Sequence, residues 1–213
     1  MPTFRSVLPA TLLALVLSPV RADWPQTAER LMAADAAFYA PPDLRRQLAK
    51  HRDELMAGVD AARSAAAGPA EPAARRRDAA RRARDVASAI RKRASFADVA
   101  RSVGALVHDA AAGFPPPPGE SPDSLLQAAR SSSFLGFPRE PFAAPEGLAA
   151  LPLSDTSARQ AYDAAVTLST RLLAWIWKEA GGDASVVKKH PEARGPYAVR
   201  VPQAATARPA ARP

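Results

Sequence analysis

Alanine fills 51 of the 213 positions in this chain, about half of all its hydrophobic residues. No other residue favours helix as strongly. Aromatic residues make up only 6% of the sequence, so the interior must be built from small side chains around a few large anchors. Valine, isoleucine, threonine and tyrosine are scarce, and no run alternates apolar and polar residues with period two, which argues against a sheet. The expectation is an all-α fold, a bundle of about five helices. A length of 213 residues allows one domain plus tails. The chain contains no cysteine, which excludes disulfide staples, thiolate metal sites, a cysteine nucleophile and a lipidated N-terminal cysteine. It has three histidines, His51, His108 and His190, and any catalytic triad or imidazole cage must draw on those.

The first residues read as an address. Arg5 precedes an apolar run of 11 residues from Val7 to Leu17, and Ser18-Pro19-Val20-Arg21-Ala22 follows. Val20 and Ala22 suit the small-residue positions of a signal-peptidase site. The run is too short to cross a bilayer as a helix. Residues 1–22 are therefore expected to be a cleaved signal peptide, and the mature protein to be periplasmic or secreted. Losing Arg5 and Arg21 lowers the formal charge from +8 to 8 − 2 = +6. With no second long apolar segment, the mature chain is not expected to be an integral membrane protein. Residues 23–182 read as a helical domain and 183–213 as a mobile basic tail rich in proline and alanine.

Within the domain, Gln26 to Phe38 reads as a helix broken by Pro41-Pro42. A second runs from Asp43 to Gly58, with Leu44, Leu48, Leu55 and Val59 on one stripe. His51 falls on that stripe and is expected to face inward. Residues 61–74 read as a loop. Ser95 and Asp98 resemble an N-cap with its acidic partner, ahead of a helix from Phe96 to Ala112. Its core stripe is Phe96, Val99, Val103, Leu106, Val107 and Ala110. His108 lies off that stripe, beside Gly104 and Ala111, where small neighbours admit a close second helix or a ligand. Pro115 to Gly119 forms an extended connector, and 123–130 a short helix. Phe134, Phe137 and Phe142 are expected to pin the following loop to the core. The last helix starts at Ser154 or Asp155 and stops at Gly181-Gly182. It is apolar on two sides, which suits a central position in the bundle.

Residues 75–94 form a strongly basic helix. Arg75, Arg76, Arg77, Arg81, Arg82 and Arg84, followed by Arg91, Lys92 and Arg93, oppose only Asp78 and Asp85. Such a helix suits an anionic partner, either anionic lipid or another polyanion surface. Export argues against intracellular nucleic acid. Arginine outnumbers lysine 24 to 5 in the whole chain, so compositional bias and an ordinary solvated face account for the same residues. No glycine-rich phosphate loop, nucleophile elbow or convincing carboxylate pair is present.

Several segments in this order form a pattern. Asp23-Trp24 leads into Ala28-Glu29-Arg30-Leu31, and Phe38-Tyr39-Ala40-Pro41-Pro42-Asp43-Leu44 leads into Lys50-His51 and Gly58-Val59. Phe96-Ala97-Asp98-Val99 and Val103-Gly104-Ala105-Leu106-Val107-His108 follow, and Tyr162 to Trp177 ends in Lys178-Glu179-Ala180-Gly181-Gly182. Over about residues 24–182 the chain resembles the zinc-dependent phospholipase C and single-strand nuclease superfamily, in its bacterial secreted branch. The resemblance implies an all-helical fold and a cluster of three zinc ions that hydrolyses phosphodiesters. In that family the ligands follow His-x3-Asp-x5-His and then His-x3-Asp or His-x3-Glu, together with the amine of an N-terminal tryptophan.

This chain departs from that pattern at nearly every ligand. His108 matches the first histidine, but Ala112 and Pro118 stand at the next two positions, and Ala164 and Leu168 at the later pair. Cleavage after Ala22 leaves Asp23 ahead of Trp24, which displaces the amine. The expectation is an exported non-catalytic homologue, kept for binding or structure, that needs no cofactor. His51 and His108 remain as residual metal ligands. The alternative is a zinc-dependent phosphodiesterase with a reduced site using His51, His108 and carboxylates such as Asp109 or Asp163.

Overall fold

The computed structural model describes residues 23–66, 71–131, 144–149 and 157–184. The expected signal peptide, the phenylalanine-bearing loop, His190 and the tail beyond Ala184 lie outside them. The described residues are all-helical, with α1 (Gln26–Tyr39), α2 (Pro42–Lys50), α3 (Arg52–Ala65), α4 (Pro72–Arg91), α5 (Phe96–Ala112), α6 (Pro122–Arg130), α7 (Pro145–Ala149) and α8 (Ala158–Glu179).

Local chemistry explains most of the boundaries. Pro42, Pro72 and Pro122 open α2, α4 and α6, where a missing N–H costs nothing and φ is already helical. Ser95 caps α5 by accepting from the Asp98 N–H at 3.2 Å. Ser157 caps α8 in a reciprocal box with Gln160. Gly181 ends α8 at φ +87°. The Gly182 N–H reaches back to the Trp177 carbonyl at 2.8 Å, the paired-bond stop that glycine favours.

Eight helices stand among the described residues where about five were expected, and three boundaries differ for physical reasons. The expected helix over 43–58 divides at His51, which takes φ −114° and ψ 38°. The expected loop over 61–74 is largely helical, because α3 continues to Ala65 and α4 starts at the permissive Pro72. The helix expected over 75–94 ends at Arg91, closed by Arg93 at φ 60° with the Ala94 N–H on the Ala89 carbonyl. The start of α8 moves from Ser154 or Asp155 to the Ser157 cap, and 154–156 lie outside the described residues.

Helix α5 packs most extensively on α3 and α4, and also lies against α1 and α8. Helix α8 packs on α1, α4, α5, α6 and α7, which suits its two apolar faces. Tyr162, Val166, Leu168, Leu172, Leu173 and Ile176 of α8 are fully buried. Helix α1 is as deeply placed, with 11 of its 14 residues buried, five of them alanine. No helix among the described residues is long and apolar enough to cross a membrane.

Candidate functional site

Two acids of the deeply placed α1 have no route to water. Glu29 is 3% exposed and Asp35 6%, so each must find a partner inside the protein. Asp35 accepts the Tyr162 hydroxyl from α8 at 2.7 Å. Glu29 is held from two sides. Its Oε1 accepts Arg63 Nη1 of α3 at 2.9 Å, and its Oε2 lies 3.2 Å from Nδ1 of His108 on α5. The same Arg63 Nη1 donates to the Trp24 carbonyl at 2.6 Å.

Trp24 is 1% exposed and closes this junction. Its indole N–H donates to the Phe114 carbonyl at 2.8 Å, and its ring meets Tyr162 edge-on at 6.1 Å. Arg76 supports the Phe114 end, donating to the Gly113 carbonyl at 2.9 Å with its guanidinium 5.3 Å from the Phe114 ring centre. Burial pushes the Arg76 pKa below its ordinary value. One polar network thus joins α1, α3 and α5 to the segment that follows α5.

Facing the Glu29 carboxylate, Nδ1 of His108 is the donor, and in the neutral tautomer that this requires Nε2 keeps its lone pair. Nε2 is buried and has no hydrogen-bond partner. The next residue, Asp109, turns to a different helix. Its carboxylate accepts Arg82 Nε at 2.9 Å and lies 3.7 Å from Arg75 Nη1. His108 and Asp109 are adjacent in sequence yet serve separate partners.

His51 does not face inward as the stripe implied. The turn between α2 and α3 falls on His51 itself, and while Leu44, Leu48, Leu55 and Val59 of the same stripe are buried, its side chain is 31% exposed. Its ring stacks on Phe96 at 6.3 Å, with Glu54 3.9 Å away. Asp163 is half-buried on α8. Ala164 and Leu168, at the positions where the resemblance puts the later ligand pair, pack into hydrocarbon.

The donors among the described residues do not fit a polynuclear metal cluster. Among the described residues, no group of three or more histidine and carboxylate side chains converges on a point. Both oxygens of Glu29 are engaged by Arg63 and His108, and both of Asp109 by Arg82 and Arg75.

The basic helix is less free than its sequence suggests. Arg76 is buried, while Arg75 and Arg82 pair with Asp109. Arg81 pairs with Asp78 at 2.8 Å and Arg91 with Glu179 at 2.6 Å. Arg84 grips Glu146 of α7 with two bonds of 2.7 Å, and its guanidinium lies 5.9 Å from the Trp175 ring centre. Arg77, Lys92 and Arg93 are exposed.

Sequence reading did not single out Glu29, Asp35 or Arg63. For the two acids a signal existed, since both sit in a helix with alanine, leucine or methionine on nearly every side. Arg63 carried none, standing in an alanine- and serine-rich stretch read as a loop. No protein family, curated protein or solved structure matches the chain.

Proposed function

We propose that this is an exported, non-catalytic helical protein related to the zinc-dependent phospholipases C, kept for binding or structure. One observation carries the reading. The buried carboxylates are closed by groups of the protein itself: Glu29 by Arg63 and His108, Asp109 by Arg82 and Arg75, and Asp35 by Tyr162. Carboxylates engaged in this way are poor metal ligands, because a metal must first displace a guanidinium or a hydroxyl. The hydrocarbon at Ala164 and Leu168 supports the same reading.

The proposed partner is an anionic surface, met by the exposed side of α4. Arg77, Arg81, Arg84 and Arg91 are exposed and recur at helical spacing along one face. Pairs such as Arg81–Asp78 and Arg91–Glu179 are water-exposed and therefore weak, so a phosphate competes with them readily. Co-sedimentation with vesicles tests this. Anionic vesicles are expected to bind and neutral ones not, with binding lost as salt rises. Equal binding to both, or no effect of reversing the charge at Arg77, Arg81 and Arg84, rejects the surface.

The alternative, a zinc-dependent phosphodiesterase with a reduced site, is favoured by one feature. Nε2 of His108 is buried, lacks a partner and is backed by Glu29, the arrangement in which a carboxylate orients a histidine ligand. Metal content separates the two readings. Near-stoichiometric zinc, lost together with phosphodiesterase activity in His108→Ala, rejects the non-catalytic reading. A purified protein whose unfolding is indifferent to chelator rejects the enzyme.

A further inference from the structure

The Trp24 carbonyl lies just outside α1, which begins at Gln26, and its partner is a side chain. A single nitrogen, Nη1 of Arg63, supplies both the bond to that carbonyl at 2.6 Å and the bond to Glu29 at 2.9 Å. One Nη carries two hydrogens, so both bonds are satisfied at once. Glu29 in turn fixes His108. The oxygens are deep, with the Glu29 side chain 4% exposed, but the Arg63 side chain is 33% exposed, so the cation enters from the surface. A guanidinium stays protonated at any pH the protein meets, which makes it a permanent positive charge.

We infer that the Trp24 carbonyl and the Glu29 carboxylate form a cation-binding site, which Nη1 of Arg63 occupies from within the chain. Arg63 is a positioning residue: through it the Trp24 end of the domain is docked onto α1, α3 and α5. Truncating its side chain leaves a vacancy that opens to solvent and accepts a free guanidinium ion.

Chemical rescue tests the inference on the full chain. Arg63→Ala is expected to lower Tm by roughly 5–15 °C, because it leaves a buried carboxylate without its counter-ion. Low millimolar guanidinium chloride, far below denaturing concentrations, is expected to restore at least half of that loss. Sodium chloride and urea at the same concentration restore none, and wild-type Tm does not rise. An Arg63→Ala protein as stable as wild type, or one rescued equally by sodium chloride, overturns the inference.

Arg63→Lys decides the matter if the alanine variant does not fold. Its ammonium keeps the charge but sits one bond short of the Nη1 position, so exchange of the Trp24 indole proton with heavy water is expected to accelerate by at least about tenfold. An indole proton as protected as in wild type overturns the inference. These readouts are independent of the non-catalytic reading. Zinc bound to the wild-type protein away from this junction would reject that reading and leave the rescue result unchanged.

Discussion

Gly58 of α3 and Gly104 of α5 meet backbone to backbone. A Cβ on Gly104 would stand 2.1 Å from the Leu55 carbonyl oxygen and 3.0 Å from the Gly58 carbonyl carbon. A Cβ on Gly58 would stand 2.1 Å from the Arg101 carbonyl oxygen. These approaches involve main chain, which cannot swing aside, so either substitution drives the two helices apart. Gly104→Ala is expected to destabilise by about 1–3 kcal/mol, net of the roughly 1 kcal/mol that alanine gains in helix propensity. Urea titration of each single variant and of the double variant checks this. The double variant is expected to lose less than the sum, since one displacement of the helices relieves both clashes.

Arg93 adopts φ 60° at the closing turn of α4, a conformation that side chains other than glycine rarely take. Arg93→Gly is expected to stabilise the protein by about 0.5–1 kcal/mol, even though glycine costs more entropy to order. The urea midpoint should rise with no change in slope.

Tyr162→Phe keeps the edge-on contact with Trp24 and removes only the hydroxyl donated to buried Asp35. The carboxylate then loses a donor it cannot replace with bulk water. A loss of about 1–3 kcal/mol is expected, read from thermal or urea unfolding.

Asp60 should contribute to the acid sensitivity of the fold. The hydrogen bond from Arg30 holds its carboxyl below the ordinary range, opposed by partial burial and reinforced by Gln26 and by the nearby positive charges of Arg30 and Arg63. A folded-state pKa below the unfolded one means the stabilisation is complete above the unfolded value of about 3.9. It disappears as pH falls through the lower folded-state value. Asp60→Asn is expected to be less stable than wild type at neutral pH, with the difference shrinking below about pH 4. A constant difference across that range contradicts the assignment.

The parts of this fold that were legible in the sequence are those with local causes. Ser95 ahead of Asp98, Gly181 after a long amphipathic stretch, and the small residues around Gly104 each act within a turn or two of the chain. The break at His51 was not legible, because neither glycine nor proline marks it. The stripe carried across residue 51 placed Leu55 and Val59 correctly and failed only for the imidazole at the break itself. The junction was hidden for another reason. Glu29 meets Arg63 34 residues away and His108 79 away, and nothing in either neighbourhood announces the other. The charge run on α4 was plain, but which arginines are paired depends on Asp109, Glu146 and Glu179, carried by three other helices.

The packing of α1 on α8 has a consequence for biosynthesis. Asp35 and Tyr162, which tie the two together, are 127 residues apart. Most helical bundles close through neighbours in sequence and assemble quickly. Here the first helix among the described residues has its apolar surface covered by the last, so a ribosome must release nearly all of residues 23–184 before this interior can be sealed. Until then the alanine-rich first segment keeps its apolar surface open to other contacts.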